Sequence, residues 1–259
     1  MNKLGLKLWS TNTDYYLKAA EKLYKEGYFD YIELYVVPNT VSTLAEWQKL
    51  DIPFTLHAPH SAHNVNLADR DNFAYNKQIY QEVALFAEVL HPKFTVVNSG
   101  TYGNIEETVR QLKIIRPKNM LVENKPYRAP LGKKELCRGY NIEEIKYVLN
   151  NYECGFCLDV GHAICSANSQ KLSPYDYVAE FNLLQPNCCH LSDGYVDSPD
   201  DRHLHFGAGT YNLKQIFKII GTDKTISIET AKDSKENLDD FKADVKFLRD
   251  NIFRKEVNL

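Results

Sequence analysis

The chain has 259 residues, 44% hydrophobic and 25% charged, a balance that fits a globular protein with a substantial core and excludes a disordered or fibrous one. A formal net charge of -3 gives no overall pull toward nucleic acid or anionic membranes, and no apolar run approaches the roughly 20 residues needed to cross a bilayer. The N-terminal MNKLGLKLWS runs directly into a strand-like segment without a signal-peptide core, so a cytoplasmic protein is expected.

In chain order, short runs rich in β-branched and aromatic residues alternate with longer stretches of helical period. The expected strands are LGLKLW (4–9), YIELYV (31–36), FTLHAP (54–59), FTVVNS (94–99), MLVENKP (120–126), CGFCLDVGH (154–162), NCCHLSDG (187–194) and TISIET (225–230). Helical patterns include DYYLKAAEKLYKEG, NKQIYQEVALFAEVL, NIEETVRQLKII and IEEIKYVLNN, and SKENLDDFKADVKFLRDNIF follows the last strand. Eight alternating βα units without a Gly/Ser/Pro-rich linker predict an α/β fold, a single-domain (β/α)8 TIM barrel over residues 1–259. The six cysteines lie in apolar, strand-like runs and are expected as buried free thiols. Cys154 and Cys157, three apart on a strand, point to opposite faces and should not clamp one ion.

In such barrels chemistry sits at the C-terminal ends of the strands. Of the eight histidines, only His91 falls away from these ends. On the last strand Ile226 and Ile228 suit the helix-facing side, which leaves Ser227 and Glu229 facing the interior. The same alternation aims Glu123, Asp159 and His190 inward, so four successive strands supply oxygen and nitrogen donors that suit Mn or Zn, and also Mg or Co. Three carboxylates at one mouth would repel strongly without a cation, which favours a divalent metal. A second constellation joins His162, three residues after Asp159, to Asp201 and His203, whose i, i+2 spacing puts both on one side of an extended segment. It would hold a further metal or grip substrate hydroxyls; a hydrogen-bonded loop is the bland alternative. The loop after the fifth strand carries Lys125, Arg128, Lys133, Lys134 and Arg138, which would receive a substrate phosphate or carboxylate unless it is only a solvated surface.

The series LHAPH, LVENKP, GFCLDVGHA, CCHLSDG, DRHLHFGAG and ISIET resembles the xylose isomerase-like TIM barrels, which include sugar isomerases and epimerases and the endonuclease IV family of DNA repair enzymes. The resemblance to the isomerase and epimerase branch implies one divalent ion on Glu123, Asp159, His190 and Glu229. It also implies enediolate chemistry on a sugar or sugar phosphate, with Glu123 and Glu229 as base and acid and His57 and His162 on substrate oxygens. GYFDYIELY supplies the acidic residue, Glu33, that this branch carries on its second strand, and His205 is expected to face substrate or to pack. The resemblance to endonuclease IV implies instead a zinc cluster on His57, Glu123, Asp159, His162, His190, Asp201, His203 and Glu229, acting on DNA. That family has a histidine on the fourth strand where VVNSG places Asn98, and a neutral amide is a poor transition-metal ligand. The carbohydrate reading is preferred, with a small-molecule substrate and no membrane partner. The nuclease and a non-catalytic metal-binding homologue remain as alternatives, and homo-oligomerisation is left open.

Overall fold

Strand formation follows from burial on both faces: every one of the eight apolar runs becomes a strand, and each pairs in parallel with its neighbours. The computed structural model describes residues 2–129 and 135–253; Lys133 and Lys134 of the basic loop lie outside the described residues. The order along the chain is β1 (Lys3–Trp9), α1 (Leu17–Lys25), β2 (Tyr31–Tyr35), α2 (Leu44–Trp47), β3 (Phe54–His57), α3 (Phe73–Leu90), β4 (Thr95–Asn98), α4 (Ile105–Ile115), β5 (Met120–Glu123), α5 (Ile142–Asn151), β6 (Gly155–Asp159), α6 (Val160–Gln170), α7 (Pro174–Asn182), β7 (Cys188–Leu191), α8 (Leu213–Ile220), β8 (Thr225–Ile228) and α9 (Asp239–Asn251). β1 also pairs with β8, which closes the sheet into a barrel, the architecture expected from the alternation. No described helix is long and apolar enough to cross a membrane.

Two apolar layers result from strand alternation. Leu4, Leu6, Ile32, Ile226 and Ile228 belong to the large cluster shared with the helices. Phe94, Val96, Leu121, Cys157 and Cys188 form a separate buried cluster. Val96, Leu121, Cys157 and Cys188 each precede a polar mouth residue by two positions, so this second cluster fills the barrel interior beneath the mouth. Gly5 on β1 makes room there: a Cβ at that position would stand 2.3 Å from the Tyr31 ring, whose hydroxyl bonds Ser227 at 2.9 Å. All six cysteines are free; Cys154 joins the helix-facing layer and Cys157 the interior one, on opposite faces as their spacing requires.

Several strands stop short of their expected ends, at Glu123, Leu191 and Ile228 instead of 126, 194 and 230, and the sixth differs in kind. The sixth strand does not continue to residue 162, because α6 begins at Val160 directly after Asp159. Asp159 adopts extended backbone as the N-cap, and its Oδ1 accepts the His162 backbone N–H at 2.7 Å. A cap carboxylate satisfies a helix N–H that has no partner within the helix, so the strand converts to helix without a loop.

Candidate active site

Eight strands deliver eight polar side chains to one mouth: Lys7, Glu33, His57, Asn98, Glu123, Asp159 and His190 from β1 to β7, and Glu229 one residue past β8. Register fixes their mutual heights, with Lys7 opposite Glu33, Asn98 opposite Glu123 and Asp159 opposite His190. His190 is the hub. Its Nδ1 lies 2.8 Å from Glu123 Oε1 and 2.8 Å from Glu229 Oε1, while its Nε2 lies 3.0 Å from Glu33 Oε2. Ser227 donates to the same Glu33 oxygen at 2.5 Å. Asn98 donates through Nδ2 to Glu123, so the amide on β4 orients a carboxylate. His57 is anchored by Nδ1 on the Ala58 carbonyl at 2.8 Å, with Nε2 3.5 Å from Glu123.

Sequence reasoning missed Lys7. Its Nζ pairs with Glu229 and stands 3.2 Å from Glu33 Oε1, joining the first strand to the second and the last. The signal was present: in LGLKLW the leucines face the helices, so the alternation that exposed Glu229 also turns Lys7 inward.

Donor atoms of Glu123, Asp159, His190 and Glu229 all lie within 4.8 Å of one another. Burial raises the Asp159 carboxyl well above the usual range, and repulsion from Glu229, Asp201 and Glu123 adds to it. The other carboxylates find cations. Burial opposes ionisation of Glu33, but His190 and Lys7 outweigh it and hold the group down at about 2. Glu229 is pushed up by burial and pulled well below its ordinary value by His190 and Lys7; Glu123 is likewise penalised by burial and pulled below by Lys125 and its imidazole partners. Burial disfavours the imidazolium of His190, yet Glu229 and Glu33 lift its pKa well above 6.5. Lysines and a proton thus offset most of the repulsion, and Asp159 bears what is left.

A second donor group, Asp159, His162 and Asp201, shares Asp159 with the first. The imidazole of His162 has Nδ1 3.0 Å from the Asn124 carbonyl and Nε2 3.6 Å from Asp201 Oδ2, and Lys125 Nζ lies 3.4 Å from that Nε2. Burial, helped by Lys125, lowers the His162 pKa to about 4, which leaves the ring neutral and able to ligate. His203 stands 3.3 Å from Asp201 with its backbone in the left-handed region, φ 47°. Among the described residues, Asp201 Oδ2 is buried without a hydrogen-bond donor. Oxygen and neutral-nitrogen donors, one orphaned acceptor and a strained carboxyl at Asp159 fit a divalent cation.

The remaining expected residues divide. Lys125 belongs to the mouth, 3.7 Å from Glu123 Oε2. Arg128 lies farther along its loop, its guanidinium 5.4 Å over the Tyr127 ring. Arg138 pairs with Glu144 at 2.9 Å. His205 is not brought to the mouth: its Nδ1 bonds Asp244 of α9 at 2.8 Å and its Nε2 faces Asp233 at 3.3 Å. Above Lys7 and Glu229 opens a cavity of about 470 Å³ walled by Trp9, Tyr35, His60 and His203. The Trp9 and Tyr35 rings lie 5.5 Å apart.

A family model described as xylose isomerase-like TIM barrel matches residues 22–251. No curated protein matches the chain in sequence. Among solved structures, a D-tagatose 3-epimerase-like protein superposes with TM-score 0.69 at 20% identity, covering 96% of each chain. Endonuclease IV from Thermus thermophilus gives TM-score 0.64 at 19% identity, covering 94% of this chain and 99% of its own. The 3-keto-D-glucoside 4-epimerase from E. coli gives 0.65 at 11%, with 96% and 100% covered. At these identities the likeness is one of fold.

Proposed function

We propose that this chain, which belongs to the xylose isomerase-like TIM barrel family, is a divalent-metal-dependent isomerase or epimerase of a sugar, sugar phosphate or related polyhydroxy compound. The observation that carries the reading is the double membership of Glu229, which is part of the four-donor group and also lines the aromatic-walled cavity. A monosaccharide in that cavity would meet a carboxylate already held in its anionic form. Ring faces of Trp9 and Tyr35 suit the C–H faces of a sugar, and polar edges around them suit its hydroxyls.

Glu123, Asp159, His190 and Glu229 would hold the ion, manganese or zinc by their donor set. When bound, such an ion polarises a substrate carbonyl and makes the neighbouring C–H more acidic. Glu229, kept ionised by Lys7 and His190, takes that proton on the cavity side. Glu123, oriented by Asn98 and His190 and an anion at rest, passes on a proton that it takes from the Lys125 ammonium 3.7 Å away, which solvent then replaces. Lys7, at the cavity floor, donates to a substrate oxygen as negative charge develops. His57, His162 and Lys125, each within 4 Å of Glu123, hold hydroxyls beside that carboxylate.

A second reading, an endonuclease IV-like zinc nuclease, is favoured by the Asp159, His162 and Asp201 group beside the first. One experiment separates them. The protein with Mn²⁺ or Zn²⁺ is incubated in D₂O with a panel of ketoses and aldoses, and in parallel with an abasic-site DNA duplex. Solvent deuterium at a sugar carbon, lost with chelator and in Glu229→Gln, is expected. Chelator-sensitive nicking of the duplex with no deuterium exchange would replace the first reading by the second.

A further inference from the structure

Beneath the carboxylates lies chemistry the proposed reaction does not use. Cys157 and Cys188 are directly opposite in the β6–β7 register. Each precedes a mouth residue by two positions, Asp159 and His190 respectively, so both thiols point into the barrel interior under that mouth. Their Sγ atoms and a ring nitrogen of His190 all lie within 4.8 Å of one another, and all three side chains are buried. The surroundings are apolar on one side, where Phe94, Val96 and Leu121 pack, while Tyr31 Oη stands 3.9 Å from Cys188 Sγ.

We propose that Cys157, Cys188 and His190 form a second metal site inside the barrel, selective for a thiophilic divalent ion of the zinc or cadmium type. Two sulfurs and one imidazole are soft or borderline donors, in contrast to the oxygen-rich group above, so the two sites sort ions by chemistry. Binding releases to solvent one proton from each thiol and one from the His190 ring, and the resulting two thiolates with a neutral imidazole offset a 2+ charge in net terms, which suits burial beside an apolar layer. His190 belongs to both groups, and its neutral ring offers one lone pair, so it ligates one ion at a time and the two sites compete for it. The Cys154-x-x-Cys157 spacing that resembles a metal motif is not the pair involved; the strand register, not the sequence spacing, makes the site.

The inference stands apart from the proposed reaction, because its test reads coordination and needs no substrate. The wild-type chain in excess MgCl₂ is titrated with CdCl₂ while the thiolate-to-cadmium absorption in the ultraviolet is recorded, and the sample loaded with one equivalent is examined by cadmium X-ray absorption. Two sulfur scatterers are expected, with the absorption saturating at one equivalent. Cys157→Ala and Cys188→Ala should each weaken binding by more than about tenfold, while Cys165→Ala leaves it unchanged. A cadmium shell of oxygen and nitrogen alone in the wild type would overturn the proposal, and that measurement requires no variant to fold. Sulfur absorption that persists unchanged in both the Cys157 and Cys188 variants would overturn it as well.

Discussion

Asp159 caps the helix that carries His162: Oδ1 takes the His162 backbone N–H at 2.7 Å, and Oδ2 lies 3.3 Å from the His162 Nδ1. The D-x-x-H spacing is therefore a capping relation as well as a donor pair. Asparagine caps about as well as aspartate, so Asp159→Asn should leave the metal-free urea midpoint unchanged or slightly higher, since burial and repulsion already oppose the anion. Calorimetry with MnCl₂ should nevertheless show affinity falling by about a hundredfold. Asp159→Ala should lose the same affinity and about 1 kcal/mol of stability besides. Equal stability of the two variants would remove the capping argument.

Lys7 is expected to matter for both folding and turnover. Lys7→Met removes one of the two cations that Glu33 and Glu229 share, the other being His190, and breaking such a pair costs about 3 kcal/mol. Thermal unfolding should show a large drop in EDTA and a smaller one in excess Mn²⁺, because a bound divalent ion supplies charge beside Glu229. Under the proposed function, turnover should fall by about a hundredfold even with metal saturating. An equal drop with and without metal would contradict this account of the pair.

Gly5→Ala tests the interior packing. The new Cβ would sit 2.3 Å from the Tyr31 ring, and this ring is held by its hydroxyl bond to Ser227. Overpacking of this kind costs about 1–3 kcal/mol, so a lower urea midpoint with an unchanged slope is expected. The companion Gly5→Ala/Tyr31→Phe protein frees the ring from that bond and should recover part of the loss.

His205 gives a pH dependence away from the metal donors. Burial lowers its pKa, but the Asp244 and Asp233 carboxylates outweigh this and raise it above 6.5. A histidine raised on folding contributes stability that is complete below about 6.5 and disappears as pH rises through the folded-state value. The difference in urea midpoint between wild type and His205→Gln should therefore be largest at acidic pH and shrink on the alkaline side. NMR titration of the ring in the wild type should place its midpoint above 6.5, and Asp244→Asn should bring it down.

Much of the fold was legible because a barrel strand is apolar on both faces and ends in polar residues, a pattern that marks each strand and its mouth in the sequence. The four-donor group was legible for a related reason, since Ile226 and Ile228 leave Glu229 only one side of the strand. Lys7 escaped because it lies within its strand, and its partners are 26 and 222 residues away along the chain. For His205 the packing alternative holds and the substrate-facing one does not, for a conformational reason: the backbone of His203 turns to positive φ, and the next imidazole packs against α9. The start of α6 at Val160 was hidden because Asp159 serves strand, cap and donor group at once.

The Lys7–Glu229 pair also sets an order of assembly. Its two members come from the first strand and from the residue just past the last, and those strands meet only where the barrel closes. Contacts of such sequence separation carry the full entropy of loop closure and form late. A chain still emerging from the ribosome holds Lys7, Glu33 and His190 before Glu229 exists, so the hub must wait for the final strand to complete its ring of charges. Closure of the barrel and completion of the site are one event, and an incomplete chain carries the positive half of the pair with nothing from β8 to meet it.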